Sequence, residues 1–283
     1  MRLLALLIGI MLLAACTAAA SAPGIAAAAA PSTNLSPKPV TAMPDKAIFD
    51  IYLLIGQSNM VGRDTSTLEQ QVDDPRILAF NSDNQWVVAR EPITPKVGTI
   101  AVGMGPGISF AQTMLKSDSS RRIGLVACAV GGTPLSRWVK GGDLYEAAIA
   151  RVKRALPAGT LKGVLWHQGE SDSDAQANAE TYKVRLTQMF KDLRTDLNAP
   201  NLPIVVGQLG EYLTVDKHPY VNTVRDVLRH MPDTLPNVGY ADARDLTDKG
   251  DQLHFTAASQ VTFGTRYAQA MLQLTAHATS GKN

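Results

Sequence analysis

The chain has 283 residues, 45% of them apolar and 18% charged, with a net charge of +2. That much apolar side chain supports a folded core and excludes a largely disordered chain, and the near-neutral charge, spread without basic runs, gives no footprint for nucleic acid. Only Cys16 and Cys128 are cysteines, so a disulfide framework is excluded.

Met1 and Arg2 give a short positive start, and residues 3–15 are uncharged and mostly Leu, Ile and Ala. Such a run is shorter than the ~20 residues a bilayer span needs and suits the apolar part of an export signal. It ends Leu13-Ala14-Ala15-Cys16, which resembles a bacterial lipobox. The resemblance implies cleavage before Cys16, lipid on its sulfur, and an exported protein anchored to a membrane of the bacterial cell envelope. Residues 17–45 are dominated by Ala, Pro, Ser and Thr, with prolines at 23, 31, 37 and 39 breaking any long helix. They read as a flexible linker, leaving 46–283 as one folded domain.

Within that domain, residues 48–55 form a near-continuous apolar run, as in a strand buried on both faces. Residues 62–107 are less regular and read as surface loops. Then come a helix over 108–116, a strand over 122–129 and a helix over 143–156 with Asp143 as N-cap. A strand at 161–166, an amphipathic helix at 174–197, and a strand at 203–208 follow. A helix over 220–230 stops before Pro232, a short strand covers 238–241, and a last helix over 256–274 has Thr256 as N-cap. Five strands separated by helices predict an α/β fold with a parallel sheet covered on both faces.

Ligands bind such sheets outside the carboxyl ends of the strands. The residues there are Gly56-Gln57-Ser58-Asn59-Met60, Val130-Gly131-Gly132-Thr133, His167-Gln168-Gly169-Glu170-Ser171-Asp172 and Gly210-Glu211-Tyr212, joined by Asp251-Gln252-Leu253-His254 before the last helix. Ser58 needs a base to act as a nucleophile, and Asp251-x-x-His254 offers an imidazole with a carboxylate within reach of its other nitrogen. The nucleophile elbow G-x-S-x-G is absent, because Met60 holds the last glycine place.

The segments GQSNMVGR (56–63), Trp86 with AREP (89–92), GPGISFAQ (105–112), IGLVACAVGGTPLSRW (123–138), GVLWHQGESD (163–172) and DQLHF (251–255) resemble, in order, the SGNH hydrolase superfamily. Within it they are similar to the sialate O-acetylesterase-like group that includes carbohydrate esterase family six, whose acetyl xylan esterases belong to the same group. The resemblance covers about residues 47–272. It implies a three-layer α/β/α, flavodoxin-like fold with a mostly parallel five-stranded sheet, and a serine esterase acting on acetylated carbohydrate without cofactor or metal. It maps the catalytic groups to Ser58, Asp251 and His254. The oxyanion donors it implies are the Ser58 and Gly132 N–H groups, with Gly131 as runner-up to Gly132, and the Gln168 side chain. Glu170 and Arg63 are supporting candidates, Glu170 as a carboxylate that orients Arg63 or the loop. Trp138, Trp86, Tyr212 and Arg137 are substrate-binding candidates, the aromatics because their faces suit pyranose rings. His167-x-x-Glu170 lacks a third metal ligand at suitable spacing. A lipase or thioesterase of the same superfamily would need an apolar acyl channel, for which the 62–107 loops are not especially apolar. A non-catalytic glycan-binding lipoprotein would be expected to have lost part of the Ser58-Asp251-His254 set, and every position is filled.

Overall fold

All eight residues of β1 (Phe49–Gly56) are buried, and the strand lies at the centre of the sheet. The structure, a computed structural model, describes residues 40, 42–96 and 102–280, without the side chains of 277–280. The export-signal region, Cys16 and all of the 17–45 linker but its last few residues lie outside the described residues. After β1 come α1 (Ser58–Val61), β2 (Ile77–Phe80), β3 (Trp86–Val88), α2 (Gly107–Ser117), β4 (Arg122–Ala127), α3 (Asp143–Ala155) and β5 (Thr160–His167). They are followed by α4 (Gln176–Asp196), β6 (Ile204–Gly207), α5 (Val221–Arg229), α6 (Met231–Thr234), β7 (Val238–Ala241) and α7 (Ala257–Ser280).

The strands form one seven-stranded sheet, ordered β3-β2-β4-β1-β5-β6-β7 and parallel except for β3. The sheet is thus two strands larger than the five expected, and both additions fall in the stretch read as loops. They are only four and three residues long and occupy one edge. So few residues carry no periodic signal; pairing to β4, through Ile77↔Ile123 to Ala79↔Leu125, makes β2 a strand.

Successive β1 side chains face opposite sides of the sheet. Ile51, Leu53 and Ile55 enter a core with Val152 of α3, Phe190 of α4 and Leu228 of α5. Tyr52 and Leu54 enter a second core with Phe110 of α2 and Phe263 and Tyr267 of α7. The architecture is therefore α/β, a central mostly parallel sheet flanked by helices. At ~1.5–3 kcal/mol per fully buried large apolar side chain, these two cores supply the main drive to fold. At the helix ends, Gly142 rather than Asp143 is the N-cap of α3, because the Asp143 carboxylate turns to Arg137. Thr256 Oγ1 accepts from the Ser259 amide at 3.1 Å and starts α7. Pro232 falls in the first turn of α6, where a missing N–H is tolerated. Among the described residues no helix is long and apolar enough to cross a membrane.

With β4 on one side of β1 and β5 on the other, the chain order reverses at β1. The carboxyl ends of β4, β1 and β5 bound the crevice where open parallel sheets bind ligands.

Candidate active site

β1 ends beneath β5. The Gln57 amide donates to the His167 carbonyl at 2.8 Å, and Gly56, at φ 138°, lies so close to that carbonyl that a Cβ would overlap it. The chain then turns into the single helical turn α1, which carries Ser58 as its first residue. Ser58 is buried among neighbours, and its Oγ lies 3.0 Å from His254 Nε2.

The histidine sits on a loop braced by two carboxylates. Asp248 Oδ2 accepts from the amides of Gly250 and Gln252 at 2.8 and 2.6 Å. Asp251 Oδ1 accepts from the amides of Leu253 and His254 at 3.0 and 2.8 Å. Asp251 Oδ2 faces His254 Nδ1 at 2.8 Å and Lys249 Nζ at 3.0 Å. Partial burial pushes the Asp251 carboxyl up, but the hydrogen bonds from His254, Lys249 and the Leu253 amide outweigh it and hold the group well below the usual carboxylate range. Hydroxyl, imidazole and carboxylate thus stand in series, from chain positions nearly two hundred residues apart.

Beyond β4 the chain continues alongside β1, with Val130 N donating to Gly56 O at 3.0 Å, and turns at Gly131-Gly132, where Gly132 takes φ 69°. Gly131 lies against Ser58: a Cβ built there would be 3.5 Å from the Ser58 Cβ and would overlap the Arg63 guanidinium. Among the described residues neither the Ser58 nor the Gly132 N–H donates a hydrogen bond, so both are available to an incoming oxygen.

Gln168 is different. It is fully buried, and its Nε2 lies 2.7 Å from Asp172 Oδ2, 3.1 Å from Thr133 O and 3.2 Å from Gln57 Oε1, while its Oε1 accepts from Tyr182 OH at 2.9 Å. Two amide hydrogens facing three acceptors leave none for an oxyanion. In this arrangement Gln168 ties the β1, β4 and β5 loops together rather than donating to a ligand.

The remaining candidates separate in the same way. Trp138 is buried, donates its indole N–H to Thr133 Oγ1 at 3.0 Å and packs edge-on against Trp166, so it is core and not a sugar platform. Trp86 packs against Phe49 and Phe80 on the edge strand β3. Arg137 pairs with Asp143 at the start of α3, and among the described residues no hydrogen bond or ion pair joins it to the Ser58 site. Tyr212 does reach the site: its ring meets Phe255 edge-on, and its OH lies 3.4 Å from Leu253 O. Arg63 is half-buried beside Gly131, and that burial lowers its pKa. Glu170 is buried and bonded to Asn59 Nδ2 at 2.7 Å, with His167 Nε2 at 3.5 Å. Burial pushes its carboxyl up, but the facing His167 and the Asn59 amide outweigh it and hold the carboxyl low. Asn59 and Asp172 stand in the strand-end segments of the sequence but carry no role there, and Lys249 lies outside them. The signal for Asn59 and Lys249 was their place beside Ser58 and Asp251.

Two hollows adjoin these groups. A recess of about 40 Å³ is lined mainly by Val61, Val102, Ala129, Val130 and Gly131, with Arg63. An open cleft of about 580 Å³ runs past Arg63, Asp64, Ser66, Asp248, Lys249 and Thr256.

A base-linked hydroxyl with two open N–H groups beside it, at the switch point of an α/β sheet, is equipment suited to acyl-ester hydrolysis. Comparison with known proteins agrees. The chain belongs to the family described as carbohydrate esterase, sialic acid-specific acetylesterase, which it matches over residues 48–273. It is 36% identical over 241 residues to an Arabidopsis thaliana protein named as a probable carbohydrate esterase, covering 78% of this chain and 90% of that one. The crystal structure of an Arabidopsis thaliana protein superposes with a TM-score of 0.72 at 33% identity, covering 81% of this chain and 99% of that one. NanS shares the fold, with a TM-score of 0.68 at 17% identity over 83% of this chain and all of that one.

Proposed function

We propose that the protein is a serine esterase that removes O-acetyl groups from carbohydrates through an acetyl-enzyme. The observation that carries this reading is the 3.0 Å approach of Ser58 Oγ to His254 Nε2, backed by Asp251 at 2.8 Å from Nδ1. Ser58 Oγ attacks the acetyl carbonyl while His254 Nε2 takes its proton. Asp251 holds the tautomer with hydrogen on Nδ1 and stabilises the imidazolium. The Ser58 and Gly132 N–H groups receive the developing oxyanion. Collapse expels the sugar hydroxyl, protonated by His254, and water then attacks the acetyl-enzyme with the same imidazole as base. The small, mainly apolar recess beside Gly131 suits the methyl of an acetyl group, which supports this reading over a lipase.

The substrate in this reading is acetylated sialic acid or xylan, with acetylated peptidoglycan the further option for an envelope protein. The ordered motifs, from GQSNM to DQLHF, support a place in the branch that contains carbohydrate esterase family six. We further propose that the protein is exported and held on a membrane surface through lipid on Cys16, its domain on the 17–45 tether. Metabolic labelling with a fatty-acid probe tests this: label in the native protein and none in Cys16→Ser is expected, and an unlabelled native protein overturns it.

Acetate release from acetylated xylan, sialic acid and peptidoglycan, with Ser58→Ala as control and octanoyl esters for comparison, tests the reaction. Release abolished in Ser58→Ala is the expected result. Equal release by the variant, or faster cleavage of octanoyl esters, overturns it.

A further inference from the structure

Asn59 follows the proposed nucleophile directly, and its side chain bonds on both sides of the histidine. Nδ2 donates to the Leu253 carbonyl at 3.0 Å, and Oδ1 accepts from the Phe255 amide at 3.1 Å. His254 lies between these two partners. The second Nδ2 hydrogen goes to Glu170 Oε1 at 2.7 Å, so both amide hydrogens of Asn59 are used and its Oδ1 is engaged as well. Its backbone carbonyl is held as well, by Gln260 Nε2 of α7 at 2.8 Å. Asn59 and Glu170 are each 2% exposed, so these bonds are not shared with bulk solvent.

We propose that Asn59, set by Glu170, is the positioning residue that fixes the distance between Ser58 and His254; the proposal rests on the serine esterase reading. The reasoning is geometric. Ser58 and His254 come from opposite ends of the domain and from separate loops. Asn59 is a neighbour of one in the chain and grips the residues flanking the other. Each bond of its amide therefore constrains the approach of Nε2 to Oγ. Glu170 arrives on a third loop, after β5, and its carboxylate selects one orientation of the Asn59 amide: Nδ2 toward Leu253 O, Oδ1 toward Phe255 N–H. A flipped amide would face oxygen with oxygen at both Glu170 and Leu253. Among the described residues neither side chain bonds to Ser58 Oγ or to the His254 ring, so both act through the placement of His254.

Misplacement of reacting groups by about 1 Å costs on the order of 10²-fold in rate. Asn59→Ala and Glu170→Ala are therefore expected to lower kcat for p-nitrophenyl acetate by roughly 10–100-fold with little change in KM. Glu170→Gln keeps an oxygen facing Asn59 Nδ2 and is expected to stay near the native rate. The deciding measurement is the same pair of alanine substitutions made in a His254→Ala protein. A residue that acts by placing the imidazole has nothing left to place, so each should change the residual rate by less than about twofold. Equal losses in both backgrounds would overturn the proposal, as would native kcat in both alanine variants of the otherwise intact protein. Circular-dichroism melting shows which variants fold; should Asn59→Ala not fold, Glu170→Ala carries the cycle. Ser58→Ala, run alongside, separates the two levels. If it retains turnover the esterase reading fails; if it is inactive while the clamp variants keep full rate, only the clamp fails.

Discussion

Asp251→Asn isolates the electrostatic part of the site. The variant can keep its Oδ1 bonds to the Leu253 and His254 amides, at 3.0 and 2.8 Å, so the loop should hold its shape. The other oxygen becomes an NH₂ that faces two donors, His254 Nδ1 and Lys249 Nζ. The imidazole relieves the clash by moving its proton to Nε2, where it faces Ser58 and is no longer a base. The charge lost is that of a carboxylate beside a forming imidazolium. With Asp251 a third exposed and His254 about a sixth, an effective dielectric of ~20–40 and ~4 Å between charges give ~2–4 kcal/mol. That corresponds to roughly 30–1,000-fold in rate, and the wrong tautomer extends the loss toward ~10⁴-fold. Initial rates of acetate release between pH 6 and 9 measure it, with KM changing little. A loss of less than about fivefold would refute the relay. The depressed Asp251 carboxyl also stabilises the fold above its unfolded value near ~4, a contribution that fades as pH falls below that. The native advantage in Tm over this variant should therefore shrink in acid.

Three further outcomes follow from particular side chains. Burial raises the Glu91 carboxyl to about 8. The unfolded chain therefore loses this proton at lower pH than the folded one, and native stability should fall between about pH 4.5 and 8. Glu91→Gln removes that slope, so its Tm should gain on the native protein across this window and run parallel below it; a constant difference from pH 4 to 9 would contradict the assignment. Trp138→Phe should destabilise the fold by about 1–3 kcal/mol through the lost indole hydrogen bond and packing, read by urea unfolding, while leaving KM for glycan substrates unchanged; a large rise in KM would restore it as a sugar contact. Gly56→Ala should yield little folded protein on expression, because its Cβ would overlap the His167 carbonyl; native-like yield and activity would contradict this.

How much of this was legible in the sequence depends on the kind of signal. β1, β4, β5 and β6 show as apolar runs because their side chains are mostly buried on two faces, while the short edge strand β7, half-buried at Gly239 and Tyr240, shows more weakly. β2 and β3 do not, since Ile77–Phe80 and Trp86–Val88 are only four and three residues long and are defined by their pairing partners rather than by any period of their own. Ser58, Asp251 and His254 could be located because reactive side chains recur at fixed spacing in short motifs. The bonding of Gln168 could not, because it depends on Asp172, Thr133 and Gln57 converging from three loops. Trp138 and Trp86 illustrate the same limit: an aromatic residue near a motif reads alike whether it faces a ligand or, as here, packs into the protein. Asn59 stood beside Ser58 throughout, but its grip on Leu253 and Phe255 spans nearly the whole domain.

The most direct test is the covalent intermediate. Rapid acid quench of the native protein during turnover of an activated acetyl ester, followed by peptide mass spectrometry, should find one acetyl group, carried by Ser58, and none in Ser58→Ala. Undiminished turnover by Ser58→Ala, or an acetyl group on some other side chain of the native protein with Ser58 unmodified, would contradict the account.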